Sequence, residues 1–324
     1  MGRVRAAVVA VATVTAAAAL TGCARTAPHL VFLEGPVWSA LDGSSLADRL
    51  APVGSQVGRR FEVRRARADE TPVRELEEIL DRHSYRGVVV GPLLALEIHQ
   101  IAPLFSAVEF VAFRFEEAPP EEARPGAAAG GAASAGLPAN LTELRFARGD
   151  GYRDAGRLLA ILEPDGTIGV ISVWGRDERL IAAFREGYAE GGGRASIDHR
   201  RLVSRRDEGE ILRFVDDLAG KGVSTVLLPA GPFTPHGLRA MRGEGMRAIV
   251  SNWGLAGGEQ SRPLAETVLC SIDDDLAGAL LALFRALDQG SADGRMTGST
   301  LITWGGAAPL PDEAAVYVDR PAGS

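Results

Sequence analysis

The fold class follows from the segment Leu141–Val173, which reads LTELRFARGDGYRDAGRLLAILEPDGTIGVISV. Leu141–Phe146 has the pattern of a strand, Tyr152–Leu162 has helical spacing, and Ile168–Val173 is a second apolar strand. Pro164-Asp165-Gly166 forms a turn before that second strand. A strand, a helix and a strand in this order are typical of a parallel sheet covered by helices.

The same alternation continues on both sides of this stretch. On the amino-terminal side the predicted strands are Leu30–Leu33, Phe61–Ala66, Val88–Val90 and Val108–Phe113, and the predicted helices are Ser45–Val57, one opening at Thr71-Pro72, and Leu93–Phe105. On the carboxyl-terminal side the predicted strands are Ser196–Val203, Val223–Leu228, Arg247–Ser251, Val268–Ile272 and Thr300–Trp304, and the predicted helices are Arg179–Glu190, Gly209–Leu218, Pro235–Arg242 and Asp274–Leu287. Two runs of α/β units therefore predict two similar lobes.

One segment between the two runs has no periodic pattern. Glu116–Ala139 is rich in Pro, Gly, Ala and Ser, a composition that cannot bury enough apolar surface to order itself. We interpret it as a surface insertion or flexible linker.

Composition restricts the class of protein. The chain has 324 residues, a net charge of −7, 46% hydrophobic residues and 24% charged residues, which are values of a globular protein. The acidic balance argues against a partner that is a nucleic acid, since such binders carry a basic surface.

Signals of catalysis are sparse. The chain has no Gly-x-Gly-x-x-Gly, Walker A, His-Glu-x-x-His or Gly-x-Ser-x-Gly motif. No metal ligation is expected, because none of the five histidines is spaced as a metal pair. Cys270 lies in an apolar run, which favours a buried hydrophobe over a catalytic thiol. We therefore expect a protein that is not an enzyme and has no cofactor.

The first residues of the chain have the pattern of an export signal. Arg3 and Arg5 precede an uncharged Ala/Val-rich run that ends at Leu20 and is too short to span a membrane. The following Leu20-Thr21-Gly22-Cys23 resembles the lipobox of bacterial lipoproteins, in which a peptidase cuts before a cysteine that carries diacylglycerol. The alternative is an ordinary signal peptide with a chance cysteine. If Cys23 carries lipid, Cys270 has no partner for an intramolecular disulfide.

Several stretches resemble the basic-membrane-protein family, the lipoproteins that include purine-nucleoside receptors. The residues that carry the resemblance are Gly151–Ala160, Gly169–Ile171, Ala183–Tyr188, Gly87–Phe113, Leu269–Ile272 and Gly298–Pro309. The resemblance implies the type I periplasmic-binding-protein fold, with two doubly wound parallel-sheet α/β lobes joined by three crossover strands. The implied crossings lie near Leu141–Phe146, Ile249–Trp253 and Thr300–Trp304.

These observations together predict the organisation of the chain. It comprises a lipoprotein signal peptide (1–22), a tether (23–29), an N-terminal lobe (30–146 plus about 254–297, with the insert at 116–139) and a C-terminal lobe (147–253 plus about 298–324). We expect a monomer.

Candidate ligand-binding residues cluster at the ends of the predicted strands, where open α/β sheets bind their ligands. They are Glu34, Trp38, Arg114, Trp174, Arg176, Asp177, Phe233, Asn252, Trp253 and Asp273. The aromatic side chains suit stacking on a sugar ring or a nucleobase. Asp177 also suits a helix cap, and Asp273-Asp274-Asp275 also suits the start of a helix. Trp304 is expected to pack at the last crossing.

The family pattern changes at several of these positions. The family usually has an Asp and a Phe-Asn pair where this chain has Glu34-Gly35-Pro36-Val37-Trp38, and Gly-Gly-x-Asp where it has Trp174-Gly175-Arg176-Asp177. Asn252-Trp253 replaces a ribose-binding Asp, and Asp273 replaces a basic residue. The ligand class therefore stays open between nucleoside-like and sugar-like.

The function that follows is a substrate-binding lipoprotein held at a membrane in the bacterial cell envelope, serving the permease of an ABC-type uptake system. The alternative is a ligand sensor, or a relative of binding proteins that no longer binds a transport substrate. A hydrolase on an α/β scaffold is disfavoured by the absent motifs, since fold alone does not decide function.

Overall fold

The computed structural model describes residues 27–33, 43–67, 71–91, 94–95, 97–114, 137–173, 177–202, 208–229, 234–251, 262–290, 294–305 and 308–319. Cys23, the signal sequence and most of the insert lie outside these ranges. Among the helices described, none has the length and apolar character needed to cross a bilayer.

The first lobe is built on a six-stranded sheet with the order β11-β5-β4-β3-β1-β2, and every pairing in it is parallel. Its strands are β1 (His29–Leu33), β2 (Phe61–Arg65), β3 (Gly87–Val90), β4 (Glu109–Arg114), β5 (Leu141–Phe146) and β11 (Arg295–Gly298). Its helices are α1 (Gly43–Val57), α2 (Pro72–Arg82) and α3 (Ile98–Ile101), the last continued by a 3₁₀ turn over Ala102–Phe105.

The second lobe repeats this plan with a sheet of the order β12-β10-β9-β8-β6-β7. Its strands are β6 (Thr167–Val173), β7 (Ser196–Leu202), β8 (Thr225–Leu228), β9 (Arg247–Ser251), β10 (Val268–Asp274) and β12 (Thr300–Trp304). Its helices are α4 (Arg148–Leu162), α5 (Glu178–Glu190), α6 (Glu208–Gly220), α7 (Thr234–Gly243) and α8 (Arg262–Ala265), with a 3₁₀ turn over Asp312–Tyr317. Only the pairing of β10 with β12 is antiparallel among those described.

Each sheet is covered on both faces, as its apolar runs require. In the first lobe, α1 and α9 (Leu276–Asp288) pack on one face and α2 and α3 on the other. In the second lobe, α4 and α5 cover one face and α6 and α7 the other. The predicted architecture of two doubly wound α/β lobes is confirmed.

The chain passes between the lobes at three places that lie side by side. The first follows β5, the second follows β10 and leads into α9, and the third joins β11 to β12. Backbone hydrogen bonds connect them, from Ala147 N to Gly298 O (3.0 Å) and from Asp275 N to Ser299 O (3.0 Å). The three passages thus form one compact connection.

The structure places one predicted strand in the other lobe and contains one strand that was not predicted. Val268–Ile272, assigned above to the N-terminal lobe, lies in β10, which pairs with β9 and β12 of the second sheet. The second crossing therefore comes after Asp274 and not near Ile249–Trp253. β11 was not predicted, because its sequence Arg-Met-Thr-Gly has neither an apolar run nor alternation.

Two helices have bounds other than those predicted from the sequence. In the described part of the predicted helix Leu93–Phe105, a single α-turn over Ile98–Ile101 is followed by a 3₁₀ turn over Ala102–Phe105, which has Pro103 in its first turn. The helix predicted from Asp274 begins at Leu276, because Asp275 is its cap and accepts a hydrogen bond from Gly278 N (2.9 Å). Asp273 and Asp274 belong to the preceding strand.

Helices α4 and α5 approach closely because glycines lie where they cross. A Cβ atom added at Gly187 would overlap the carbonyl oxygen of Arg153, and one added at Gly156 would overlap that of Phe184. Both obstacles are backbone atoms, which cannot move aside as the end of a flexible side chain can.

We expect Gly187→Ala to lower the free energy of unfolding by about 1–3 kcal/mol, the usual cost of overpacking. The control is Gly220→Ala, since an added Cβ at this helical residue meets no atom within 4 Å. That control should be neutral, or stabilising by up to about 1 kcal/mol, because alanine favours helix more than glycine does. Urea unfolding of the three proteins measures both effects, and equal stabilities of the two variants would contradict the packing argument.

A buried ion cluster closes the amino-terminal edge of the first sheet. The Arg59 side chain is only 2% exposed and donates to Glu109 Oε2 (2.9 Å) and Asp288 Oδ1 (2.6 Å). Its Nη1 lies 3.0 Å from Nε2 of the buried His29, and its guanidinium lies 4.2 Å from the centre of the Phe284 ring. A guanidinium only donates, so this Nε2 accepts, which requires a neutral imidazole.

Stability should fall as the pH drops below about 6.5, the usual pKa of histidine. Burial lowers the pKa of His29, with Arg59 and Arg86 acting in the same direction and Glu109 opposing them. The unfolded chain then binds more protons than the folded chain between that lowered pKa and 6.5, so the free energy of unfolding decreases on acidification. The pKa of Glu109 is lowered to about 2, so its contribution is lost only at more acidic pH, below its ordinary 4.5.

Urea unfolding at pH 7 and pH 5 tests this expectation. His29→Gln keeps an acceptor beside Arg59 and cannot be protonated, so it should lose less stability than the original protein over this interval. The pKa of His199 is also lowered by burial, so His199→Gln serves as a second, additive change. The same loss in all three proteins would show that these imidazoles do not govern the acid response.

Candidate functional site

Three of the predicted ligand-binding residues lie in the described part of the chain, namely Arg114, Asp177 and Asp273. The others lie outside it, as does Cys23: Glu34, Trp38, Trp174, Arg176, Phe233, Asn252 and Trp253. Glu34 follows the last residue of β1, Trp174 that of β6, and Asn252 that of β9. Their roles in ligand binding stay predictions.

A polar group of side chains lies at the carboxyl edge of the second sheet. The Tyr152 hydroxyl, on α4, lies 2.5 Å from Oγ of Ser251, the last residue of β9. Asp177 precedes α5, and its carbonyl accepts a hydrogen bond from Ile181 N (2.9 Å). The predicted side-chain cap is not formed in the described structure.

Electrostatic coupling links these groups. Burial raises the pKa of Tyr152, and the carboxylates of Asp177 and Asp274 raise it further, while the Ser251 hydrogen bond and Arg148 lower it. Tyr152 therefore stays neutral and keeps its hydroxyl proton for hydrogen bonding. The Asp177 carboxylate thus acts electrostatically on this hydroxyl, and a ligand-binding role for Asp177 stays a prediction.

A bidentate ion pair joins this edge to the inter-lobe connection. Arg148 Nε donates to Asp274 Oδ1 (2.9 Å), and Arg148 Nη2 donates to Asp274 Oδ2. The side chains are 14% and 9% exposed. Arg148 opens α4 after the first passage and Asp274 ends β10 before the second, so the pair ties two passages together.

Asp273 is enclosed within the second sheet. It is 1% exposed and accepts hydrogen bonds from Ser271 Oγ (2.5 Å) and Thr303 Oγ1 (2.8 Å). The Ser271 contact lies within β10, and the Thr303 contact joins β10 to its antiparallel neighbour β12. A ligand-binding role for Asp273 stays a prediction, and its described contacts stabilise the sheet.

Arg114 ends β4 and turns toward the neighbouring strand. Its Nε and Nη2 donate to Glu143 Oε1 at 2.9 and 2.5 Å. Sequence reasoning missed Glu143, as it missed Arg148, Tyr152, Ser251 and Asp274. Ser251 and Asp274 could have been found from their positions at the ends of strands. Nothing in the sequence pattern singled out Glu143 or Tyr152.

Two further side chains have the roles expected of them. Cys270 is fully buried and burial raises the pKa of its thiol, which confirms a buried hydrophobe. Trp304 is partly buried and packs against the core of the second lobe, and its indole N–H donates to Ala308 O (3.0 Å). Within the described ranges, no group of three or more His, Cys, Asp or Glu side chains is placed to hold a metal ion.

Solved structures with the same architecture are found across most of the chain. An ABC-transporter solute-binding protein from Conexibacter woesei has a TM-score of 0.64 and 17% identity, over 91% of this chain and 94% of that one. The fold is that of the type I periplasmic binding proteins.

Other proteins with the periplasmic-binding-protein fold differ in function. A sugar-binding protein of a sugar ABC transporter from Bacillus halodurans has a TM-score of 0.59 and 12% identity, over 90% of this chain and 99% of that one. A transcriptional activator of the comK gene from Bacillus halodurans has a TM-score of 0.63 and 16% identity, over 89% and 94%. No protein-family model and no curated protein sequence matches the chain. At these identities the likeness establishes the fold, and the basic-membrane-protein resemblance stays a prediction.

Proposed function

We propose that the protein is a membrane-anchored substrate-binding lipoprotein that captures a small ligand between its lobes for an ABC-type uptake system. The observation that carries the proposal is the pairing of two similar α/β lobes with one compact connection. Ligands of open α/β sheets bind at the carboxyl ends of strands, and a hinge beside those ends lets the lobes close over a ligand.

The connection has the features of a hinge. Thr300 Oγ1 donates to Ala147 O (3.3 Å), so the first and third passages are bonded through a side chain as well as through the backbone. The Arg148–Asp274 pair holds the second passage beside them. Motion of one lobe against the other would then be concentrated in a few backbone torsions around Ala147, Asp275 and Ser299.

The ligand that fits best is sugar-like or nucleoside-like. Tyr152, Ser251 and Asp177 supply neutral and acidic hydrogen-bonding groups at the edge of the second sheet. Trp174 and Trp253 follow the strands of this edge in sequence and offer flat faces for a ring. The sugar-binding protein of similar fold favours the sugar-like class.

Anchoring completes the proposal. Cys23 would carry the lipid, and only the short segment to His29 separates it from β1. Six residues span at most about 22 Å, so the receptor would stay close to the membrane. Such confinement raises the effective concentration of the receptor at its permease.

A second function is favoured by one comparison. The transcriptional activator of similar fold shows that this architecture also occurs outside transport. A ligand sensor, or a relative that has lost its transport substrate, is therefore the alternative. Binding of a panel ligand combined with stimulation of a permease ATPase supports transport, and binding without stimulation supports sensing.

We expect Trp174→Ala and Trp253→Ala each to weaken a bound sugar or nucleoside at least tenfold, because a ring stack contributes about 1–3 kcal/mol. The ligand is first found by thermal shift against a panel of sugars and nucleosides, and affinities are then measured by calorimetry. The control is Trp304→Ala, which removes a partly buried indole packed against the core and should lower stability without changing affinity. Unchanged affinity in both strand-end variants would remove these residues from the site, and no shift with any compound would favour a relative that has lost its ligand.

A further inference from the structure

Glu143, in the middle of β5, is a buried carboxylate surrounded by three arginines and a histidine. Its side chain is 3% exposed. Arg114 Nη2 lies 2.5 Å from Oε1 and Arg145 Nη2 lies 3.2 Å from Oε2. His99 Nε2 lies 3.2 Å from Oε1, and Arg295 Nε lies 3.6 Å from Oε2.

These groups share one face of the first sheet. Arg114 and Arg145 are register partners on β4 and β5, and Glu143 lies two residues before Arg145 on the same face. His99 reaches them from α3 and lies 2.9 Å from Arg114 Nη2. Arg114 ends β4 and Arg145 is the penultimate residue of β5, so the group lies toward the carboxyl edge.

Positive charge exceeds negative charge in this group. The guanidinium groups of Arg114, Arg145 and Arg295 share the single carboxylate of Glu143, and within the described ranges it is the one acid that pairs with Arg114 or Arg145. Arg145 Nε is buried and has no hydrogen-bond partner among the described residues. A buried donor without an acceptor is costly, and so is a partly buried charge without a counter-charge.

Part of each of these side chains reaches the solvent, although Arg145 Nε itself is buried. The side chains of Arg114, Arg145 and His99 are 19%, 28% and 32% exposed, respectively. Guanidinium groups present a planar fork of donors that matches the oxygens of carboxylate and phosphate. Glu143 holds one edge of each fork and leaves other N–H groups of Arg145 for a further acceptor.

We propose that Arg114, Arg145 and His99 form a binding site for an oxyanion, a carboxylate or phosphate group, with Glu143 positioning the two guanidinium groups. Arg114 is one of the candidate ligand-binding residues, so the site rests on the proposed function and adds an oxyanion to the class of ligand. The oxyanion is a free anion or part of a small ligand.

Calorimetric titration with inorganic phosphate at constant ionic strength tests the site. We expect saturable binding that Arg145→Gln weakens at least tenfold. Arg194→Gln is the control, because Arg194 is 77% exposed and pairs with Asp165 in the second lobe. Arg145→Lys keeps the charge without the fork, should also weaken binding, and takes the place of Arg145→Gln if circular dichroism shows that variant to be unfolded.

Saturable phosphate binding by the original protein that the Arg145 variants weaken supports the site. Absence of phosphate binding overturns the proposal, and so does binding that the Arg145 variants leave unchanged.

Discussion

Cys23→Ser should abolish lipid attachment completely. The thioether to diacylglycerol forms only on a cysteine sulfur, and serine provides none. A diacylglyceryl group has two acyl chains, and each buried CH₂ stabilises membrane binding by about 0.8 kcal/mol, so attachment through Cys23 is effectively all or none. Labelling of cells with radioactive palmitate, followed by purification of the protein, measures the effect directly.

The chain supplies a matched control for this experiment. Cys270→Ser changes the other cysteine of the sequence, which is buried in the core of the second lobe. It should retain the label because it leaves the lipobox intact. Label in the Cys23 variant would reject the lipoprotein interpretation, and absence of label from all three proteins would favour an ordinary signal peptide with a chance cysteine.

The double variant Glu109→Gln/Asp288→Asn should lower the free energy of unfolding by about 3–5 kcal/mol, the usual result of leaving a buried charge without its partners. Arg59 is that charge. Its side chain is 2% exposed and its described ion pairs are with Glu109 and Asp288. The two carboxylates are 36% and 50% exposed, so they are hydrated more readily than the guanidinium is.

The difference in exposure between Arg59 and its two carboxylates leads to a second expectation. Arg59→Met removes the buried charge itself and should cost less than the double carboxylate variant, even though it breaks the same ion pairs. The triple variant should therefore recover part of the stability lost in the double variant. Asp165→Asn is the control at an exposed pair, where the change should be within about 1 kcal/mol. If Arg59→Met is the more destabilising change, the carboxylates and not the guanidinium carry the desolvation cost.

The fold class was largely predictable from the sequence because most strands have a signal in their own few residues. Val88–Val90, Ile168–Val173 and Val223–Leu228 are apolar runs bounded by turn residues, and such runs form buried parallel strands in many contexts. β11 was missed because its stability comes from pairing with β5, which no local pattern records. β10 was placed in the wrong lobe because an apolar run does not state which sheet it joins.

The position of the candidate site at the strand ends was predictable, but the side-chain contacts within it were not. The rule that ligands bind at strand ends identified Arg114 and Asp177 as residues of that edge. It could not indicate that Arg114 pairs with Glu143, or that Tyr152 bonds to Ser251 across 99 positions of sequence. These contacts depend on strand register and on how a helix is set against its sheet.

Local patterns were enough to predict the alternation of strands and helices, the two-lobed α/β class, the buried state of Cys270 and the candidate lipid attachment at Cys23. Periodicity and short motifs are properties of neighbouring residues, so they can be read without a structure. The folded arrangement was needed to learn where the chain passes between the lobes, which acids neutralise Arg59 and Arg148, and that Arg145 Nε has no hydrogen-bond partner among the described residues. Those facts arise from residues far apart in sequence, whose proximity is fixed only when both sheets have assembled.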